Sequence, residues 1–493
     1  MAPRQRILLL QPAVGEWDGM RSSPALPLSL LHAAAIAVAD WDVRIYDRRL
    51  HGDDWADRLR EELRERPVLV GVTAFTGPMI RSALELCDVV RATVPGVPIA
   101  WGGVHPSLLP PERTLADPRV DFVVQGEGER VLPALARTVV EGRPPAGIPG
   151  VWWRDADGVH GSAPALIDDL DALPDPPWHL VDIARYQPEY LGRRSIYLQS
   201  SRGCPFRCAY CYNGVFNARR WRGLSAERTL AQVRTLVRDH GVRDLYFVDD
   251  MFFTDPARAR AIAEGMAPLG ITWQVQGVDI LGLKRLTDAD LDLLVRAGCT
   301  RMSVGIESGS PRIRKLIHKT GTIDDVLAVA SRMARHPIIL YCSFMCALPG
   351  ETDDDVRMTV DLAFELLRRN PNIRISPFYN FSPYPGTEMF DQAVALGLKV
   401  PDSLAGWAGF GHSRTNLDLG RRRFYESLYF TSLFLDDKAR EYGMPPWAVA
   451  LARLYRPVAR FRTRHLFFAG LVEKEAMAWI TGAWAHVRGR TRA

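Results

Sequence analysis

The stretch Ser201-Arg202-Gly203-Cys204-Pro205-Phe206-Arg207-Cys208-Ala209-Tyr210-Cys211-Tyr212-Asn213-Gly214 decides how the rest of the chain is read. Its three cysteines sit on one short loop, so their thiolates can bind three irons of a [4Fe–4S] cluster. Clusters that only carry electrons are closed by four cysteines. A cluster one ligand short keeps an iron to which a small molecule can bind directly, which is an arrangement for chemistry rather than for electron transfer alone.

Two other uses of the triplet fit less well. A structural zinc site wants four nitrogen or sulfur ligands, usually as two separated pairs, and the nearest flanking histidines, His179 and His240, are far away in sequence. A disulfide framework fails on composition, since 7 cysteines among 493 residues are sparse and odd in number. The opening run Ile7-Leu8-Leu9-Leu10 is too short for a secretory signal and reads as a strand. Reduced thiols and a cytoplasmic location are therefore expected. Cys87, Cys299, Cys342 and Cys346 lie in apolar surroundings and are expected to be small buried hydrophobes.

Outward from the loop the chain alternates strands and helices. Ile196–Ser200 reads as a strand feeding into the cysteines, and Ser225 caps a helix whose Leu230, Val233 and Val237 share a face before Gly241 stops it. Further strands are predicted over Asp244–Val248, Ile271–Val275, Met302–Ile306, Ile338–Met345 and Ile373–Ser376, with helical patterns such as Asp288–Ala297 and Ile323–Arg335 between them. Spacing alone does not distinguish a partial barrel from a full barrel or an open sheet. In each case functional residues belong at the carboxyl ends of the strands.

Upstream, the short apolar runs Ile7–Leu10, Val43–Tyr46, Val68–Val72, Ile99–Ala100 and Phe122–Val124, with helical segments such as Leu28–Ala39 and Pro78–Thr93 between them, predict a doubly wound parallel sheet. Ligands of such sheets sit off the carboxyl ends of the strands. There the sequence places Thr73-Ala74-Phe75-Thr76-Gly77, Trp101-Gly102-Gly103-Val104-His105-Pro106 and Gly126-Glu127-Gly128-Glu129. The polar, proline-bearing stretch between these halves reads as a linker. The expected α/β organisation is a Rossmann-like domain over 1–145, a linker over 146–192, a barrel over 193–398 and a helical C-terminal domain over 399–493.

Net charge is only +5 and spread along the chain, and no apolar run reaches the roughly 18 residues of a membrane span, so neither nucleic acid nor a transmembrane segment is expected. The tail carries Arg421–Arg423, Arg453, Arg456, Arg488, Arg490 and Arg492 among aromatics such as Phe424, Tyr429 and Phe467. It reads as a helical cap with a solvated basic face. A membrane-surface helix is disfavoured by Glu473 and Glu475, which interrupt the apolar stripe.

With Tyr210 just before the last cysteine, the triplet resembles the radical S-adenosylmethionine (SAM) signature, and the upstream loops resemble the cobalamin-binding domain found fused in front of radical SAM domains. The strings Leu348-Pro349-Gly350-Glu351-Thr352 and Tyr384-Pro385-Gly386-Thr387 also resemble that class, and the resemblance runs from residue 1 to about 395. It implies a Rossmann-like cobalamin domain, an open (β/α)6 barrel, and three cofactors: a [4Fe–4S] cluster on Cys204, Cys208 and Cys211, SAM and cobalamin. For SAM it implies Tyr210, Asp249, Asp250, Glu307 and Ser308; for cobalamin, Thr73, Thr76, Gly77, Gly102, Gly103, His105, Gly126 and Glu127. The competing reading of Asp249 and Asp250 is a cap or turn, and that of Glu307 an ion pair with Arg301 or Arg312. Better-known cobalamin proteins use an Asp-x-His-x-x-Gly loop, whereas Asp47 is followed by Arg49, so no axial histidine is expected; His105 is assigned to the nucleotide-tail pocket or to ordering its loop.

The implied activity is a methyltransferase: a 5′-deoxyadenosyl radical generated at the cluster abstracts hydrogen from an unactivated carbon of a natural-product-like substrate, which takes a methyl group from methylcobalamin. A flavodoxin- or ferredoxin-like electron donor is implied as partner. The alternatives are cyclisation, rearrangement or ring contraction without methyl transfer, and a non-enzymatic metal or cobalamin carrier or sensor.

Overall fold

A computed structural model describes residues 4–15, 18, 23–186, 189–190, 193–411, 413–417, 420–441 and 444–473. The first sheet contains β1 (Arg6–Gln11), β2 (Asp42–Asp47), β3 (Leu69–Thr73), β4 (Ile99–Gly102), β5 (Phe122–Val124), β6 (Val151–Asp155) and β7 (Gly158–Gly161). Its order is β2-β1-β3-β4-β5-β6-β7, with β1–β5 parallel. Alternation along β1 sends Ile7 and Leu9 to one face, against the helices Leu28–Ala37 and Val131–Val140, and Leu8 and Leu10 to the other, against Trp55–Leu63 and Met79–Thr93. Both faces are therefore dry, which is why these strands are continuous apolar runs.

The stretch expected to be a linker is only partly one. β6 pairs antiparallel with β5, and β7 with β6, so residues 151–161 extend the first sheet beyond the expected boundary at 145. The hairpin forms the sheet edge: Arg154, Asp155 and its turn face water, while Val151 is buried and Trp152 and Val159 pack against the core. The proline-rich connection after it packs Ile167, Leu170 and Leu173 against Leu224.

The second sheet is built from β8 (Glu189–Tyr190), β9 (Arg193–Leu198), β12 (Asp244–Phe247), β13 (Thr272–Val278), β14 (Cys299–Glu307), β15 (Ile339–Cys346) and β16 (Ile373–Asn380); the short strands β10 (Ser201–Arg202) and β11 (Arg222–Gly223) pair separately. Its order is β16-β15-β14-β13-β12-β9-β8, in which β9 and β12–β16 are six parallel neighbours in chain order. Among the described residues β16 pairs only with β15, so this is an open, partial (β/α)6 barrel. Thr287, Thr322 and Thr352 start three of its helices with capping boxes, and Ser225 and Gly241 bound another as expected.

The tail closes the open edge. The amide of Phe378 donates to Ser432 Oγ at 2.9 Å and that of Ile375 to Asp436 Oδ2 at 2.7 Å. Pro377, between them, has no amide to satisfy, as suits an edge strand. The helices Arg422–Ser432 and Pro446–His465 bear out the helical tail. Among the described residues no helix is long and apolar enough to cross a membrane. Glu475, Arg488, Arg490 and Arg492 lie outside the described residues.

Candidate active site

The cysteine loop is held from below by two consecutive carboxylates at the end of β12. Asp249 accepts from the Ser200 amide and hydroxyl, both at 2.7 Å, and from Ser201 Oγ at 2.6 Å, so its oxygens are spent inside the fold. Asp250 accepts from the Gly203 amide at 2.8 Å. The expectation of a cofactor ligand is therefore corrected for Asp249, which fixes the start of the loop. Gly203 has φ +85°, and a Cβ there would lie 1.9 Å from the Arg220 carbonyl oxygen, so only glycine turns the chain here. The Ala209 amide donates to Ile317 O and the Met389 amide to Ala209 O, each at 3.1 Å, pinning the loop between two barrel connections.

Cys204, Cys208 and Cys211 are free and half-buried. Burial pushes the Cys204 thiol up to about 11 and the Cys211 thiol up to about 12, so loading iron must displace their protons. Among the described residues no three His, Cys, Asp or Glu groups converge as ligands of one ion. A cluster makes no such demand, because each thiolate binds its own iron.

Tyr210 is half-buried, with its hydroxyl bonded to Glu307 and its pKa raised by desolvation and by that carboxylate. Glu307 adopts φ +69° beside a register shift between β14 and β15, a sparsely populated conformation of the kind that clusters at functional sites. Its cation is Lys319, at 3.7 Å, and neither Arg301 nor Arg312: the first lies 4.2 Å over the Tyr341 ring and the second pairs with Asp355. Gly305 makes room, since a Cβ there would sit 2.3 Å from Glu307 Oε1. Ser308 is corrected: fully buried, its hydroxyl meets Thr359 Oγ1 at 3.0 Å and accepts from the Ser310 amide at 3.1 Å.

Where the carboxyl ends of the two sheets meet lies a cavity of ≈ 470 Å³. Thr73, Gly102, Gly103, Gly126 and Glu127 line it from the first unit; Gln199, Arg202, Tyr212, Val248 and Asp250 line it from the second. Gly103, at φ +94°, has no space for a Cβ, which would meet Thr73 Oγ1 at 2.8 Å, and Gly71 is similarly closed by Leu9 at 2.7 Å. The floor is thus bare backbone over which a large ligand can lie closely. His32 lines the cavity with its Nε2 buried and unpartnered, and burial lowers its pKa to about 3, so a neutral imidazole awaits a hydrogen bond. Phe75, Tyr212 and Tyr384 stack edge-on at 5.8–6.0 Å and join both units beside the cavity. These features fit a large, partly apolar cofactor beside the cysteine loop.

Three expected cavity residues face elsewhere. His105 is 0% exposed, bonds Thr76 Oγ1 through Nδ1 at 2.9 Å and lies edge-on to Trp407 at 5.4 Å; burial lowers its pKa to about 3. A Cβ at Gly77 would come 2.9 Å from the Phe410 carbonyl oxygen. Thr76, Gly77 and His105 therefore seat the segment Leu404–Gly409 and its continuation, and His105 orders its loop. His32 has no motif in the sequence, and Arg202 and Tyr212, though within the cysteine stretch, carry no signal there that they line the cavity; all three emerge only from the fold.

The family models agree with this arrangement: a B12 binding domain matches residues 23–136 and the radical SAM superfamily residues 198–363. The anaerobic magnesium-protoporphyrin IX monomethyl ester cyclase of Synechocystis is 30% identical over 71% of this chain and 70% of its own length. The chain belongs to the B12-binding radical SAM family. An uncharacterised methyltransferase of Pyrococcus horikoshii is 28% identical over 80% of this family member and 83% of its own length. Among solved structures, the radical SAM methyltransferase TsrM of Kitasatospora setae, with tryptophan and a SAM analogue bound, shares the fold at a TM-score of 0.69 and 19% identity, over 96% of this chain and 99% of its own.

Proposed function

We propose that this chain is a cobalamin-dependent radical SAM methyltransferase that moves a methyl group from methylcobalamin to an unactivated carbon of a small, natural-product-like substrate. The observation that carries the reading is the cavity shared by both units, with glycine-bearing strand ends on one side and Arg202 and Tyr212, which flank the three cysteines, on the other. Cys204, Cys208 and Cys211 would hold the cluster; Tyr210, Asp250 and Glu307 would contact SAM; Thr73, Gly102, Gly103 and Gly126, with His32, would hold the corrinoid, and Glu127 lines the same cavity. Bound there, the cluster supplies the electron that cleaves SAM and the corrinoid supplies the methyl group. The protein's part is placement and exclusion of water, for which the Phe75, Tyr212 and Tyr384 rings close one side. A flavodoxin- or ferredoxin-like donor in the cytoplasm would deliver the electrons.

The test is anaerobic reconstitution followed by assay with methyl-deuterated SAM. Wild-type protein is expected to give 5′-deoxyadenosine, S-adenosylhomocysteine and a deuterated methyl product, while alanine at Cys204, Cys208 or Cys211 abolishes SAM cleavage. Full cleavage by any of these variants sinks the assignment. Similarity to a named cyclase at 30% identity favours one alternative, oxidative cyclisation without methyl transfer. Formation of 5′-deoxyadenosine without S-adenosylhomocysteine selects it.

A further inference from the structure

Four charges, three of them buried and Arg202 half-buried, join the two units next to the cavity. Glu127 and Glu129 come from the loop after β5; Arg202 and Arg222 come from the β10–β11 pair that brackets the cysteines. Arg202 reaches Glu127 at 2.8 Å and Glu129 at 2.5 Å, and Arg222 reaches the other oxygen of Glu127 at 2.8 Å. The side chains of Glu127 and Arg222 are 4% and 5% exposed, so water screens little of their attraction. Glu127 also accepts from the Ile167 amide at 2.7 Å, and Arg222 donates to the Ile167 carbonyl at 2.7 Å, which fastens the connecting segment to the same point.

From Arg222 the bonds continue toward the cysteines. Its second nitrogen donates to Asn217 Oδ1 at 2.8 Å, and Asn217 Nδ2 donates to Asn213 Oδ1 at 2.8 Å. The Asn213 side chain bonds Asp250, which accepts the Gly203 amide immediately before Cys204. A continuous polar chain thus runs from the corrinoid-side loop around the cysteine loop to its first ligand. Burying two ion pairs is a poor way to stabilise a fold, since apolar residues of similar volume do as well or better. Their directional, forked geometry does fix one relative placement of the groups they join.

We propose that Glu127 and Arg222 are positioning residues that set the distance and angle between the corrinoid cavity and the cysteine loop. This rests on the functional reading above. Transfer between two cofactors needs them aligned, and a displacement of about 1 Å can cost roughly 100-fold in rate.

The test uses the full chain reconstituted anaerobically with iron, sulfide and cobalamin, then reduced so that cob(II)alamin and the cluster are both paramagnetic. Their magnetic coupling reads the separation without any substrate. Arg222→Lys keeps the charge and removes the fork; Glu127→Gln removes the charge and is compared per doubly loaded chain, so partial misfolding does not mask the result. Both are expected to shift or broaden the coupling relative to wild type. Unchanged coupling in both variants overturns the inference and leaves the functional reading standing. Wild-type protein that takes up no cobalt or no iron overturns the functional reading and this inference with it.

Discussion

Glu351, in the turn after β15, shows what burial does to a single side chain. Its Oε2 accepts from the Ala347 amide at 2.8 Å and its carboxyl bonds Tyr425 of the tail, but Oε1 is enclosed without a partner. Burial raises its pKa from 4.5 to about 8. Between those values the native chain holds a proton that the unfolded chain has released, so this group makes stability fall as pH rises, at up to roughly 1.4 kcal/mol per pH unit. Glu351→Gln removes the dependence: denaturation midpoints of the variant are expected to gain on wild type steadily from pH 5 to pH 8. Parallel midpoints across that range would show that the carboxyl ionises normally. His105 works in the opposite sense. With its folded pKa lowered to about 3, it charges in the unfolded chain first, and its contribution is lost as pH falls below about 6.5. His105→Asn is expected to flatten the loss of stability between pH 6.5 and pH 4, and an unchanged acid limb would refute that.

Elements rather than single residues decide whether the cysteines can act together. The loop starts where Gly203 adopts φ +85° against the Arg220 carbonyl, whereas a Cβ at Gly214, eleven residues on, would make only an ordinary 3.7 Å contact with Arg219. Gly203→Ala imposes about 1–2 kcal/mol of backbone strain and a steric shift at the same point. It is expected to lose most bound iron after anaerobic reconstitution, while Gly214→Ala keeps it; equal iron in the two variants would count against a loop aimed by Gly203. This element was legible in advance, because thiol spacing is written locally, and so were the buried strands, whose two dry faces demand continuous apolar runs. The β6–β7 hairpin was not legible: its turn and second strand, Asp155 to Gly161, are largely polar and glycine-bearing, which is the composition of a linker. Nor was the direction of Thr76, Gly77 and His105, because strand ends predict where a loop lies but carry no periodicity that says which way its side chains turn. The Glu127–Arg222 pair escaped for a different reason: its partners are 95 residues apart, and the glycine-rich loop that marks Glu127 does not point to Arg222.

At the scale of the whole molecule the two sheets and the tail do not keep separate cores. One cluster of buried side chains contains Leu8 and Val72 of the first sheet, Ala209 of the cysteine loop, Met345 and Phe381 of the second unit, and Trp407 of the tail. Another joins Leu28 and Leu31 from the first unit to Ile196, Leu245 and Trp273 of the barrel. Units that share interior surface this way lose it together when one of them opens, so unfolding is expected to be a single transition despite the chain's length. Trp407 is the place to test this, being 2% exposed and packed against Phe410 at 5.0 Å and His105 at 5.4 Å. Trp407→Ala should cost about 3–5 kcal/mol and move the entire calorimetric transition downward, with near- and far-ultraviolet dichroism melting in step. Two resolved transitions, one of them unmoved by the substitution, would mean that the halves fold independently and that the buried contacts between them are too weak to couple the corrinoid side to the cysteine side.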